Sequence, residues 1–182
     1  MPAMPSIMLD TAAVERALKR ISHEIIERNQ GCDTICLVGV CRRGVPLAKR
    51  LSDQIFQIEG KRVPVGSLDI TRYRDDIGQI EEMPVLNATD IPFDINGRDV
   101  ILVDDVLFTG RTARAAMDAL IEMGRPATVQ LAVLIDRGHR ELPIRGDYIG
   151  KNIPTSKNER IAVRVPEYDG TTAVVLYRKD EI

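Results

Sequence analysis

Short runs of consecutive aliphatic residues alternate along this chain with longer stretches whose apolar positions recur every three or four residues. The runs are ICLVGV (35–40), the strand leading into VILVDDV (100–106) and TVQLAVLID (128–136). Strands covered on both faces read this way. The periodic stretches predict helices. From Asp10-Thr11 to about Asn29, Val14, Leu18, Ile21 and Ile25 share one face, and Gly31 follows as a stop signal. A second helix, VPLAKRLSDQIFQIEG (45–60), comes after the turn CRRG (41–44), and a third begins near Arg111 and closes at Met123-Gly124. Strands alternating with helices predict a parallel, doubly wound sheet. VPVGSLDI (63–70) alternates as a strand, whereas 71–92 is polar and without period, a long loop of the kind that is usually functional. After Asp136 the pattern turns irregular, with strands predicted at 161–165 and 172–178 and no convincing helix. This part is expected to supply a sheet edge and a cover over the ligand end.

Composition changes this picture little. The 182 residues carry 44% hydrophobic content and no Gly/Ser- or Pro-rich linker, which predicts a single domain over 1–182. A formal charge of -2 does not announce nucleic-acid binding, so any basic surface must be local. The first ten residues lack a signal-peptide pattern, and no apolar run approaches the roughly 18 residues of a membrane span, which points to a cytoplasmic protein without a membrane partner. Cys32, Cys36 and Cys41 are expected to be reduced thiols, and Cys41, beside two arginines, to carry enhanced thiolate character.

The chemistry concentrates in VILVDDVLFTGRT (100–112). Two adjacent carboxylates, Asp104 and Asp105, end a strand on the side where open parallel sheets bind ligands. They repel each other unless hydroxyl donors or a metal come to them, and a sugar diol suits. Thr109, Gly110, Arg111 and Thr112 then offer hydroxyls and successive backbone N–H groups at a helix N-terminus, where a phosphate is favoured. A phosphate next to a diol describes a 5-phosphoribosyl group. An ordinary capped helix, or a Mg²⁺-phosphate site of another doubly wound fold, accounts less well for residues 109–112.

This stretch resembles the phosphoribosyl-diphosphate signature of the type I phosphoribosyltransferases. The resemblance implies a Rossmann-like α/β fold: a central parallel sheet flanked by helices, a small hood from roughly 137–160 and the chain termini, and a flexible loop over roughly 71–92. It implies displacement of diphosphate from C1 of the ribose by a base nitrogen, with Mg²⁺ bound mainly through phosphoribosyl diphosphate and no protein metal ligand assigned. Asp104 and Asp105 would be the catalytic pair, and residues 109–112 the 5-phosphate loop. Cys41, Arg42, Arg43 and Gly44 would form the diphosphate loop, with Arg43 the side-chain contact. Arg72, Tyr73 and Arg74 would be contacts from the flexible loop, and Asp136 and Arg137 would lie at the base and diphosphate end. Read alone, 41–44 is also a tight turn with solvated arginines, and 71–92 a surface loop.

SLDITRYRDD (67–76), VDDVLFTGRTARAAMDAL (103–120) and LIDRGHRELPIRGDYIGKNIPTS (134–156) are similar to the bifunctional pyrimidine operon regulators. That resemblance implies uracil phosphoribosyltransferase activity giving UMP. It also implies binding of pyr mRNA leader in response to UMP or UTP, acting by transcription termination or on translation, and a homo-dimer or higher homo-oligomer. Lys19, Arg20 and His23 on the first helix, with Arg140, Arg145 and Lys151, are the RNA-binding candidates. A solvated helix face explains the first three equally well. A plain uracil or purine salvage enzyme, and a non-catalytic nucleotide sensor, remain as alternatives.

Overall fold

The computed structural model describes residues 5–73 and 89–178. Five parallel strands form the main sheet: β2 (Ile35–Val40), β3 (Val65–Leu68), β4 (Asp99–Leu107), β5 (Thr128–Asp136) and β6 (Tyr148–Asn152), in the order β3-β2-β4-β5-β6. Helices α1 (Thr11–Arg28) and α2 (Gly44–Glu59) cover one face and α3 (Arg111–Met123) the other. The aliphatic runs are continuous because both faces are covered. Leu37, Ile101, Val103, Ala132 and Leu134 face α1 and α2, while the intervening Val38, Val100, Leu102, Leu131 and Val133 face α3. The doubly wound sheet and its three helices thus follow the hydrophobic pattern.

The order reverses between β2 and β4. Successive crossovers run outward on either side of that pair, and the crevice beyond their carboxyl ends is where open α/β sheets place a ligand. Two loops meet there, the turn 41–44 after β2 and the segment 108–110 after β4.

A second, antiparallel sheet has the order β1-β8-β7, from β1 (Ser6–Leu9), β7 (Glu159–Arg164) and β8 (Ala173–Arg178). Between β7 and β8 a single helical turn, α4 (Pro166–Asp169), starts at a proline and ends at Gly170, whose φ is 70°. Here the structure adds elements that the pattern did not predict. β6 is a polar edge strand with only Tyr148 buried, so it carries no aliphatic run; its hydrogen bonds to β5 make it a strand. β1 is four residues long and mostly exposed, and exists through its pairing with β8. Residues 148–152 therefore belong to the main sheet, and the cover over its end comes from 159–178 and the N-terminal strand.

Beyond β3, Thr71–Tyr73 form a 3-10 turn. Residues 89–90 return beside the same strand: Asp69 N donates to Thr89 Oγ1 at 3.0 Å, and Ser67 and Asp90 exchange backbone bonds of 2.8 and 2.9 Å. Arg74 and the body of the expected flexible loop, 74–88, lie outside the described residues. No helix among the described residues is long and apolar enough to cross a membrane.

Candidate active site

β4 carries its pairing with β5 through the acidic residues themselves, Asp104 opposite Val133 and Leu107 opposite Asp136. Each carboxylate of the pair is turned back onto the chain: Asp104 Oδ1 accepts from Asp105 N at 2.8 Å, and Asp105 Oδ1 from Val106 N at 2.9 Å. Two like charges on consecutive residues are thereby fixed in place, half-buried.

The chain then enters the 108–110 turn that leads into α3. Gly110 has φ 92°, a left-handed conformation that other residues adopt only with strain, and it serves as N-cap of α3 without a side-chain cap bond. The first N–H groups of a helix have no partner within it, so this turn points donors and the positive end of the dipole at the loop. A cavity of about 230 Å³ lies against it, lined by residues 106–113 and Glu141. The loop is held from outside by 141–142, whose N–H groups both reach Thr109 O, and by Glu141 Oε1, which accepts from Arg111 Nε at 3.2 Å.

The turn 41–44 packs directly on the acidic strand. A Cβ on Gly44 would lie 2.3 Å from Val103 O and 3.4 Å from Asp104 Cα, so only glycine lets α2 begin this close to the pair. The Cys41–Arg42 peptide is cis, and Val45 N closes the turn onto Arg42 O at 3.2 Å. Cys41 departs from the sequence expectation. Burial, followed by the nearby Asp69 charge, pushes its thiol up, and the adjacent arginines do not offset this, so the protonated form is favoured. All three cysteines are free. Arg42 is exposed, while Arg43 donates to the Asp169 carboxylate through Nη2 at 2.9 Å and Nε at 3.3 Å.

At the end of β5, Asp136 and Arg137 are both 7% exposed. Burial pushes the Asp136 carboxyl up, but two bonds from Arg140 at 2.7 and 3.0 Å and one from Gly138 N at 3.0 Å outweigh it, and the carboxyl settles below its ordinary value. Arg137 donates to Thr155 Oγ1 and Glu159 O, and its guanidinium lies 4.0 Å from the centre of the Phe108 ring. Phe108 stands 41% exposed between the acidic pair and the phosphate loop, with His139 at its edge. It is an aromatic surface beside the acidic pair that motif reading passed over. An aromatic in an otherwise aliphatic strand end was the available signal.

The expected flexible-loop contacts are placed differently. Tyr73 donates its hydroxyl to Glu122, eleven residues into α3 and so roughly 15 Å along the helix from the phosphate loop. Arg72 is exposed.

The six basic RNA candidates do not form one surface. Arg20 reaches across to β6, donating to Ile149 O and Gly150 O as well as to Glu24, and with Arg16 and Lys151 it walls a cavity of about 330 Å³ between α1, β1 and β6. Lys19 and His23 are exposed on α1. Arg145 borders a separate groove with Met117 of α3, on the opposite face of the sheet. Arg140, expected among the RNA contacts, is instead committed to Asp136 at the end of β5.

Arg140→Gln should leave a buried carboxylate short of its guanidinium, costing on the order of 1–3 kcal/mol at pH 7. Because the Asp136 pKa is depressed in the folded state, its contribution is present above the unfolded carboxylate pKa and is lost as pH falls through the lower folded value. Urea midpoints of parent and mutant should therefore converge as pH falls below 4; a gap that persists undiminished would show that Arg140 acts otherwise.

A family profile described as phosphoribosyl transferase domain matches residues 6–169. Relatives carrying the name bifunctional protein PyrR include one from Roseiflexus sp., 63% identical with 90% of this chain and 89% of the relative covered. Another, from Pelotomaculum thermopropionicum, is 57% identical with 96% of each covered. Among solved structures, a hypoxanthine phosphoribosyltransferase from Trypanosoma cruzi in complex with the product IMP superposes with a TM-score of 0.74 at 18% identity, covering 99% of this chain and 93% of that one.

Proposed function

The chain belongs to the phosphoribosyltransferase family, and on that footing we propose that it forms UMP and diphosphate from uracil and phosphoribosyl diphosphate, and that it binds pyr mRNA leader when charged with uridine nucleotide. The observation that carries the enzymatic half is the direct succession, at one strand end, of an oriented acidic pair and a helix start capped by a glycine without a side chain.

Asp104 and Asp105 take the 2′- and 3′-hydroxyls and oppose the positive charge that builds on the ribose as diphosphate leaves. Thr109, Gly110, Arg111 and Thr112 hold the 5-phosphate, and Cys41 to Gly44 hold the diphosphate. With both ends of the donor anchored, C1 stays in line with the incoming base nitrogen, so positioning supplies much of the acceleration. Phe108, 41% exposed, is the aromatic surface offered to a flat pyrimidine, with buried Asp136 and Arg137 behind it holding that end of the site.

The protein oxygens fit Mg²⁺ brought in on the donor. That ion takes one or two carboxylates together with substrate phosphates, and among the described residues no cluster of three or more His, Cys, Asp or Glu is built as a dedicated metal cage. Mg²⁺ held mainly through the donor, with Asp104 and Asp105 as the carboxylates able to take part, would supply neutralisation of the leaving group.

For the regulatory half, support comes from the groove of Arg16, Arg20 and Lys151, continuous with Lys19 and His23 along α1, and from the relatives' shared name of bifunctional protein PyrR. Cationic side chains without stacking aromatics favour contact with RNA phosphate and shape over base readout. Arg140 and Arg145 are left out of this surface. Uridine nucleotide and RNA then tighten each other's binding by linkage.

Purified protein with Mg²⁺, phosphoribosyl diphosphate and uracil should yield UMP. Asp104→Asn with Asp105→Asn should lower the rate at least about a hundredfold while the circular dichroism of the parent is kept. Formation of a purine nucleotide and no UMP would overturn the substrate assignment.

For RNA, Lys151→Gln should weaken leader binding and reduce the log–log salt slope by about 0.7–0.9 for the lost phosphate contact. The transfer rate should stay at the parent level. A salt titration with and without UMP reads this out; an unchanged slope would remove Lys151 from the surface, and no leader binding by the parent would leave a plain salvage enzyme.

A further inference from the structure

The diphosphate-loop arginine is held by a residue 126 positions away, in the small sheet. Asp169 closes α4, and its carboxylate is itself fixed, Oδ2 accepting from Val165 N at 2.9 Å. Arg43 meets it along one edge, Nε and Nη2, and the Tyr168 ring centre lies 5.7 Å from the guanidinium carbon. A second pair anchors the same turn, Glu167 Oε2 to Arg50 Nη2 at 3.2 Å. Positions 43 and 50 are two helical turns apart, so one face of α2 presents two cations to two acids of α4.

We propose that Asp169 is a positioning residue for Arg43, holding one edge of the guanidinium so that the other edge is ordered toward the diphosphate of the donor. This rests on the reading of Arg43 as a diphosphate contact. A guanidinium has five N–H groups in a rigid plane, and a carboxylate occupying the Nε–Nη2 edge leaves both N–H groups of Nη1 for another anion. Arg43 directly precedes Gly44, which packs against Val103 O and Asp104 Cα, so the turn that carries the cation borders the acidic pair. The Arg43 guanidinium in turn holds the Asp169 carboxyl below the usual range, so the pair is fully ionised at neutral pH. With the side chains 35% and 21% exposed, the pair adds little to stability. Its effect is on order: a long, rotamer-rich side chain that is already in place loses less entropy when the donor arrives.

Asp169→Asn is the discriminating variant. Its amide oxygen can keep the Val165 N–H bond, while its NH₂ group would face Arg43 Nη2 donor to donor and release the guanidinium. KM for phosphoribosyl diphosphate should rise about three- to tenfold, the loss expected for one side chain no longer ordered beforehand. Turnover at saturating donor should be retained. UMP affinity should not move, because a monophosphate presents nothing to this loop. Asp169→Glu, which keeps the charge one methylene further out, should lie between parent and Asn; it also serves if the Asn variant does not fold. Arg43→Ala runs alongside. If Arg43→Ala leaves the donor KM unchanged, the reading of Arg43 has failed. If Arg43→Ala raises it and Asp169→Asn does not, Asp169 positions nothing. A lower donor KM in Asp169→Asn would mean that the pair restrains Arg43 and the donor must break it. Equal changes in donor and UMP binding would make Asp169 structural.

Discussion

Holding two carboxylates side by side at the end of a buried strand is the constraint around which the ligand end is built. Repulsion between Asp104 and Asp105 is countered in part locally, each accepting the next backbone N–H. What surrounds them follows from proximity. Gly44 is glycine because α2 starts against Val103 and Asp104, and Gly110 is glycine because the chain must turn at once from strand to helix with a positive φ. The aliphatic sheet beneath, covered on both faces, makes this arrangement rigid before any ligand arrives.

Around this centre the arginines divide by environment. Arg43, Arg137 and Arg140 stand at the sheet end, each engaged by groups of the fold: the Asp169 carboxylate, backbone oxygens with the Phe108 ring, and the Asp136 carboxylate. Arg20 and Lys151 lie along α1 and β6 instead. The small sheet touches both regions. Its α4 grips the start of α2, and its β1 leads into α1, whose Thr11 hydroxyl donates to Thr172 O at 2.9 Å.

The main sheet was legible because its strands are aliphatic on both faces and its helices strongly periodic; β2 and β5 fall where the runs begin and end. The acidic strand end and the helix start after it were legible because they are contiguous. What escaped was non-local. β6 and β1 are strands by virtue of their partners, and no residue near 43 announces Asp169. The grouping of Arg140 and Arg145 with the helix cations failed for the same reason, since nearness in charge pattern says nothing about which face of a sheet a loop crosses. Cys41 shows the converse error: its sequence neighbours are cations, but burial decides its thiol.

The central claim is that one strand end binds one ribose 5-phosphate. A crystal structure with UMP bound tests it most directly. The account places the phosphate within about 3 Å of backbone N–H groups of residues 110–113 and both ribose hydroxyls within hydrogen-bond reach of Asp104 and Asp105. A phosphate seated on the 41–44 turn, or a ribose turned away from the acidic pair, would contradict it.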